Sequence, residues 1–260
     1  MMIRLATAGS TLALALAAGL GGCSVPTHHE LRIANANNLA KADRPVAVDI
    51  ENYRGSVEVQ VMPGLSKPTL QAWVLDESKG FMRLTDDAIV KSWYAAEVAS
   101  VQGRPVLRIL TKRNNETKPS WVKLVVQTPT CDGIRVRNSG GPVTLHGVAG
   151  EITVENGYKG GEGGDITVQT TRRIADAVSL RTTKGVISLA APVNSQGKLD
   201  INTPKGSPEV NVRADGLDGV HKTLTGFSAT LNGGTKVWSM LSAEGDVKIE
   251  VGGWEPTVSE

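Results

Sequence analysis

The sequence predicts an all-β fold, a β-solenoid with about 22 residues per coil, on three observations. Glycine is abundant, 29 of 260 residues, while Phe, Tyr and Trp together number ten, which suits a tightly turned small-residue fold more than a helical bundle. Short segments alternate apolar and polar residues with period two. The unit Gly-x-[Val/Ile/Leu]-x-[Val/Ile/Leu] recurs at 141–145, 150–154, 164–168, 185–189, 197–201 and 245–249, and related units without the glycine occur at 177–180 and 208–212.

The repeat sets the coil length. Val143, Ile166, Ile187 and Val210 are 23, 21 and 23 residues apart, and Ile152, Val178 and Leu199 are 26 and 21 apart. Two short strands per period suit coils that turn back at Gly or Asn and stack like residue on like. On this reading Ile166, Ile187 and Val210 are inward neighbours, and Asn138, Asn156, Gly157, Asn194 and Gly197 fall between strands, where φ > 0 is often required. A β-sandwich with a turn every roughly 8–12 residues gives similar spacing and is the alternative.

Residues 1–22 read as a signal peptide. Arg4 is its positive charge, and the apolar run over 5–20 falls short of the ~20 residues that span a bilayer. Its end, Leu20-Gly21-Gly22-Cys23, resembles the lipobox of bacterial lipoproteins, which implies that the Cys23 thiol is acylated and that cleavage precedes it. Attachment to membrane lipid through several acyl chains would be effectively permanent. Ser24, which is not Asp, favours the outer membrane by the sorting rule of enteric bacteria. Residues 23–44 are polar and unpatterned, read as a flexible tether in which His28 and His29 are solvated.

The domain is expected over 45–252, with a tail at 253–260. Val46, Val48 and Ile50, then Val57, Val59 and Val61 after Gly55, read as a hairpin-like strand pair closed by Met62-Pro63-Gly64. Further strands are expected over 69–75, 106–110 and 121–126, with 86–101 a short helix or one more strand. Cys131 lacks a partner for an intramolecular disulfide and reads as a buried structural thiol.

At the level of family, the opening 50–59 (Ile-Glu-Asn-Tyr-Arg-Gly-Ser-Val-Glu-Val), the transition 124–129 (Leu-Val-Val-Gln-Thr-Pro) and the Gly-x-Ile-x-Val ladder resemble the "putative-adhesin" domain of bacterial envelope proteins over residues 46–251. The resemblance implies a Gly-repeat solenoid in the cell envelope and assigns no chemistry.

Candidate chemistry in the residues is sparse. Gly160-Gly161-Glu162-Gly163-Gly164-Asp165 is one imperfect copy of a calcium-binding nonapeptide, at most half a site, and reads as a turn. Arg172, Arg173, Arg181, Lys184 and Lys205 are interspersed with Asp176, Asp200 and Glu209, as on a solvated face. Trp73, Trp93, Trp121, Trp238 and Trp254 are expected to cap the open ends of the core. His146 and His221 have no ligand-like spacing to a Cys or acid.

With 28 basic against 26 acidic side chains, nucleic acid is excluded as a main partner. The expectation is a lipid-anchored envelope lipoprotein, a non-catalytic adhesin-like binding or scaffold module without metal or cofactor. Its partners beyond lipid would be a cell-surface protein or glycan. The alternatives are a glycan-acting enzyme, which would need acids among Asp165, Asp176, Asp200 and Asp215 to converge in a cleft, and a regulator of an envelope-stress system.

Overall fold

Residues 31–36, 45–76, 80–83, 94–111, 121–213 and 216–253 are described in the computed structural model of the chain. The strands are β1 (Ala47–Asn52), β2 (Val57–Val61), β3 (Thr69–Asp76), β4 (Gly80–Arg83), β5 (Tyr94–Val101), β6 (Arg104–Thr111), β7 (Trp121–Thr128), β8 (Asp132–Asn138), β9 (Val143–His146) and β10 (Ala149–Asn156). They continue with β11 (Ile166–Gln169), β12 (Val178–Thr182), β13 (Ile187–Ala191), β14 (Gly197–Asn202), β15 (Pro208–Val212), β16 (Leu217–Lys222), β17 (Gly226–Leu231), β18 (Val237–Ser242) and β19 (Val247–Val251). No α-helix occurs among the described residues, and Tyr158–Gly160 forms a 3-10 turn.

The fold is all-β, with two mixed sheets around one hydrophobic core. The first runs β16-β17-β14-β18-β12-β10-β8-β1-β6-β5 and the second β15-β19-β13-β11-β9-β2-β7-β3-β4. Seven strand pairs, one strand in each sheet, follow the same order in both: β6/β7, β1/β2, β8/β9, β10/β11, β12/β13, β18/β19 and β14/β15. Strands of successive pairs are parallel and in register, so inward residues form continuous rows. In the first sheet one row is Leu107, Val48, Ile134, Ile152, Val178, Trp238 and Leu199. The matching row of the second is Leu124, Val57, Val143, Ile166, Ile187, Val247 and Pro208. Each fully buried aliphatic side chain in these rows contributes about 1.5–3 kcal/mol relative to exposure.

The Gly-repeat strands form where the alternation places them, with their order altered. Val210 is not beside Ile187: β19 lies between, so Ile187 pairs with Val247, while Val210 pairs with Ile249, the partner of Leu189. Trp238 likewise separates Val178 from Leu199. The chain passes over one position after β13, builds β14 and β15, returns through the β16–β17 hairpin and fills the gap with β18 and β19. Pattern alone cannot reveal this, because the inserted pair has the same inward alternation as its neighbours.

Residues 47–61 do not form a hairpin either. β1 and β2 belong to different sheets, since the turn through Gly55 (φ 120°) carries the chain across the core. The segment read as helix or strand contains β5, with 84–93 outside the described residues. Within the expected tether, Leu31 and Ile33 are buried and Leu31 N–H donates to Leu70 O at 2.7 Å. Packing therefore already involves residue 31, ahead of the expected boundary at 45.

The turns from first to second sheet share a construction. Asn52, Asn138, Thr182, Thr203 and Ser242 each precede by three residues a glycine: Gly55, Gly141, Gly185, Gly206 and Gly245. Asn138 and Asn156 end β8 and β10 and are buried, and the positive φ falls on Gly157 (102°) and not on either asparagine. Asn52 Nδ2 donates to Asn138 Oδ1 at 3.0 Å, and Asn138 Nδ2 to Asn156 Oδ1 at 3.2 Å. Asn138 also donates to the carbonyls of Gly55, Gly140 and Gly141, while Thr182 and Ser242 hydroxyls donate to those of Gly164 and Gly185. This ladder satisfies turn carbonyls that water cannot reach, each of which would otherwise cost ~1–3 kcal/mol.

Candidate binding groove

On the outer face of the first sheet, period-two alternation carries charge. β6 presents Arg104 and Arg108, β1 Asp49 and Glu51, and β8 Arg135 and Arg137. Register aligns Arg108, Asp49 and Arg135 in one row and Leu110, Glu51 and Arg137 in the next. Arg135 grips Asp49 with two hydrogen bonds, Nε to Oδ1 at 2.9 Å and Nη2 to Oδ2, and this pairing holds its guanidinium more firmly protonated than usual. Arg137 pairs with Glu51 at 2.9 Å and Arg104 with Asp132 at 3.2 Å.

One turn departs from the common construction. Asn156 and Gly164 are eight residues apart where the other turns have three, and the five extra residues carry Tyr158 and Lys159 back onto this face. Arg137 lies over the Tyr158 ring at 5.1 Å and donates to its hydroxyl at 3.2 Å. The Lys159 ammonium, 4.9 Å from the same ring, pairs with Glu51 at 2.9 Å, which raises its pKa.

Two depressions meet here. One, of about 450 Å³, is lined by Ala34, Ala95, Ala96, Ile109 and Leu110 together with Asp49, Glu51, Glu97, Arg108 and Arg137. The other, of about 740 Å³, shares Asp49 and Arg108 and extends past Arg104, Arg135, Gln102 and Thr153. Residue 34 forms the rim, as Ala34 N–H donates to Ala96 O and Ala34 O accepts from Val98 N–H, both at 2.9 Å. The sequence reading missed this face. Its signal is acidic or basic residues at alternate positions of three strands, informative only once register makes those strands adjacent.

The residues singled out in the sequence do not converge. Asp165 lies at a turn from first to second sheet, where Oδ1 accepts the Val186 N–H at 2.8 Å, while Asp176 lies at a return turn and its carbonyl accepts the Trp238 indole N–H at 3.1 Å. Asp200 faces outward on β14 between Ser239 and Ser228, and 215 is outside the described residues. Glycines 161, 163 and 164 serve close packing: a methyl at Gly161 would lie 1.8 Å from Ser139 O, and one at Gly164 2.5 Å from Gly141 O. Among the described residues no group of three His, Cys, Asp or Glu could hold a metal ion.

The basic stretch is dispersed. Arg172 donates to Cys131 O at 3.1 Å at a return turn, whereas Lys205 pairs with Glu244 at the opposite turns. Trp238 is fully buried inside the row, where Gly197 makes room for its indole, and so does not cap an end. Trp73 and Trp121 lie toward the β3 and β7 end under Lys123 and Arg54, and 93 and 254 are outside the described residues. His146 lies on the outer face of the second sheet and His221 on exposed β16, while 23, 28 and 29 are outside the described residues. Cys131 is buried and its thiol is pushed up to about 12, chiefly by burial, with Arg172 opposing and Asp132 adding to the effect.

No family model and no curated protein matches the chain, so the likeness of the repeat signatures to the envelope family stands without a matching family model. A crystal structure described as a "putative cell adhesion protein" from Clostridium sporogenes is similar at 9% identity and a TM-score of 0.48, covering 85% of this chain and 97% of that one.

Proposed function

We propose that this chain is a membrane-anchored envelope lipoprotein whose 45–252 region is a β-solenoid serving as a non-catalytic, adhesin-like binding or scaffold module. The observation that carries the reading is the rung-by-rung register of seven strand pairs, because a stack of this kind presents long, regular outer faces on a rigid frame. Among the described acids of that set, Asp165 and Asp176 lie at opposite turns and Asp200 stands on β14, an arrangement that supports binding over glycan cleavage.

Anchoring rests on Cys23 in its lipobox-like setting. Among the described residues no helix is long and apolar enough to cross a membrane. Cys23→Ala is expected to release the protein from the membrane fraction or to leave it uncleaved with its leader. A mutant that is processed yet stays in the membrane pellet after a high-salt wash would overturn the anchor. A pull-down from envelope membranes with the acylated protein tests the binding role, and recovery of no partner protein or glycan counts against it.

A further inference from the structure

We propose that Glu97 and Arg108 form a two-point site for a small zwitterion, an anionic group and an ammonium on one molecule, in the depression that they line on the outer face of the first sheet. The proposal rests on the binding-module reading and gives it a ligand class. Glu97 and Arg108 are directly opposed on the antiparallel strands β5 and β6, where opposite charges ordinarily meet. They form no ion pair with each other, and among the described residues neither forms one with any other side chain.

The neighbouring charges explain why these two are left over. Asp49, adjacent to Arg108 in register, is held by both hydrogen bonds of Arg135. Glu51 and Arg137 are tied to each other and to the inserted Tyr158 and Lys159. What remains in the depression is one guanidinium, one carboxylate and a floor of Ala34, Ala95 and Leu110, in a volume of about 450 Å³. A planar guanidinium suits a carboxylate or a phosphate, and Glu97 suits an ammonium.

Either anion has a source. Carboxylate with ammonium is the chemistry of an amino acid or short peptide, and phosphate with ammonium is that of a phosphoethanolamine headgroup. Ala34 follows Cys23 by eleven residues, so acylation there would keep the Ala34 rim within about 40 Å of the bilayer.

The test is ligand binding to the full mature chain, read by saturation-transfer NMR, with L-alanyl-L-alanine and O-phosphoethanolamine as the two zwitterions. N-acetyl-L-alanine, inorganic phosphate and L-alaninamide, each carrying charge of one sign only, are the single-charge controls. At least one zwitterion is expected to bind, and the one that binds more tightly names the source. Arg108→Ala and Glu97→Gln should each weaken it about tenfold, the loss of one charge-assisted contact, with an unchanged urea midpoint showing that both variants fold. Binding of a single-charge control as tight as that of the zwitterion, no binding of either zwitterion, or unaltered binding by both variants would overturn the site. A membrane pull-down that succeeds equally with wild type and Arg108→Ala while the zwitterions fail to bind would reject this site and leave the binding-module reading intact.

Discussion

Ile187 and Ser188 are adjacent in sequence and opposite in environment. Ile187 is fully buried between Ile166 and Val247, whereas Ser188 faces outward between Thr167 and Lys248. Ile187→Asp places a carboxylate in the apolar row and should cost ~3–5 kcal/mol, while Ser188→Asp should stay within ~0.5 kcal/mol of wild type. Equal urea midpoints for the two variants would show that this alternation is not the core pattern. Cys131 makes a second test at this scale. With its pKa raised from the ordinary 9.0 to about 12, the thiol in the native protein should resist iodoacetamide at pH 8 and react once urea unfolds the chain. A raised pKa also means that stability from this group is fully present below pH 9.0 and is lost as pH rises toward about 12. Relative to Cys131→Ala, the wild type should therefore lose stability on going from pH 8 to pH 11, and parallel pH profiles of the two proteins would contradict this.

Turns between the sheets depend on glycine for two separable reasons, backbone conformation and close stacking. Gly185 has φ 122°, and a methyl there would lie 2.6 Å from the Gly164 carbonyl carbon. Gly160 also has a positive φ, 77°, but nothing lies within 4 Å of the corresponding methyl. Gly160→Ala should thus cost ~1–2 kcal/mol for the left-handed backbone alone, and Gly185→Ala at least ~2 kcal/mol more, because neighbouring backbone must move. Thermal melts of the two variants with the same loss would mean that glycine is needed here for its backbone freedom and not for stacking.

Across the whole molecule, the order of the strand pairs differs from their order in the chain, and this alters what truncation does. In a stack built in sequence order, removing the last pair exposes one new end and leaves the rest in place. Here β18 and β19 lie inside the stack, so a chain ending at residue 234 loses Trp238, Met240, Val247 and Ile249 from the interior and separates β14 and β15 from β12 and β13. The truncated protein should lose its cooperative urea transition or show a large drop in midpoint with dye-binding exposed apolar surface. A midpoint equal to that of the full chain would contradict the inserted position. The stack is also ended against edge pairing: Pro208 opens the edge strand β15, and β16 carries a register shift between Asp218 and His221 with Gly219 at φ 61°.

Much of the architecture is legible in the sequence because it is local. Period-two alternation marks β9 to β15 and β19, and the recurring glycine marks the turns, since inward side chains and close backbone approach restrict residue type position by position. Gly197, Asn138 and Asn156 read only as turn chemistry, because their partners, Trp238, Asn52 and the glycine carbonyls of neighbouring strand pairs, are distant in sequence. The hairpin expected over 47–61 failed for a related reason: a glycine turn of the same composition can send the chain back alongside itself or across the core. By itself the sequence determined the all-β class, most of the strands and the near balance of charge. The tertiary structure alone decided the insertion of β18 and β19 and the charged face on which Glu97 and Arg108 have no ion-pair partner among the described residues, because register between separate strands is chosen by packing of the whole core.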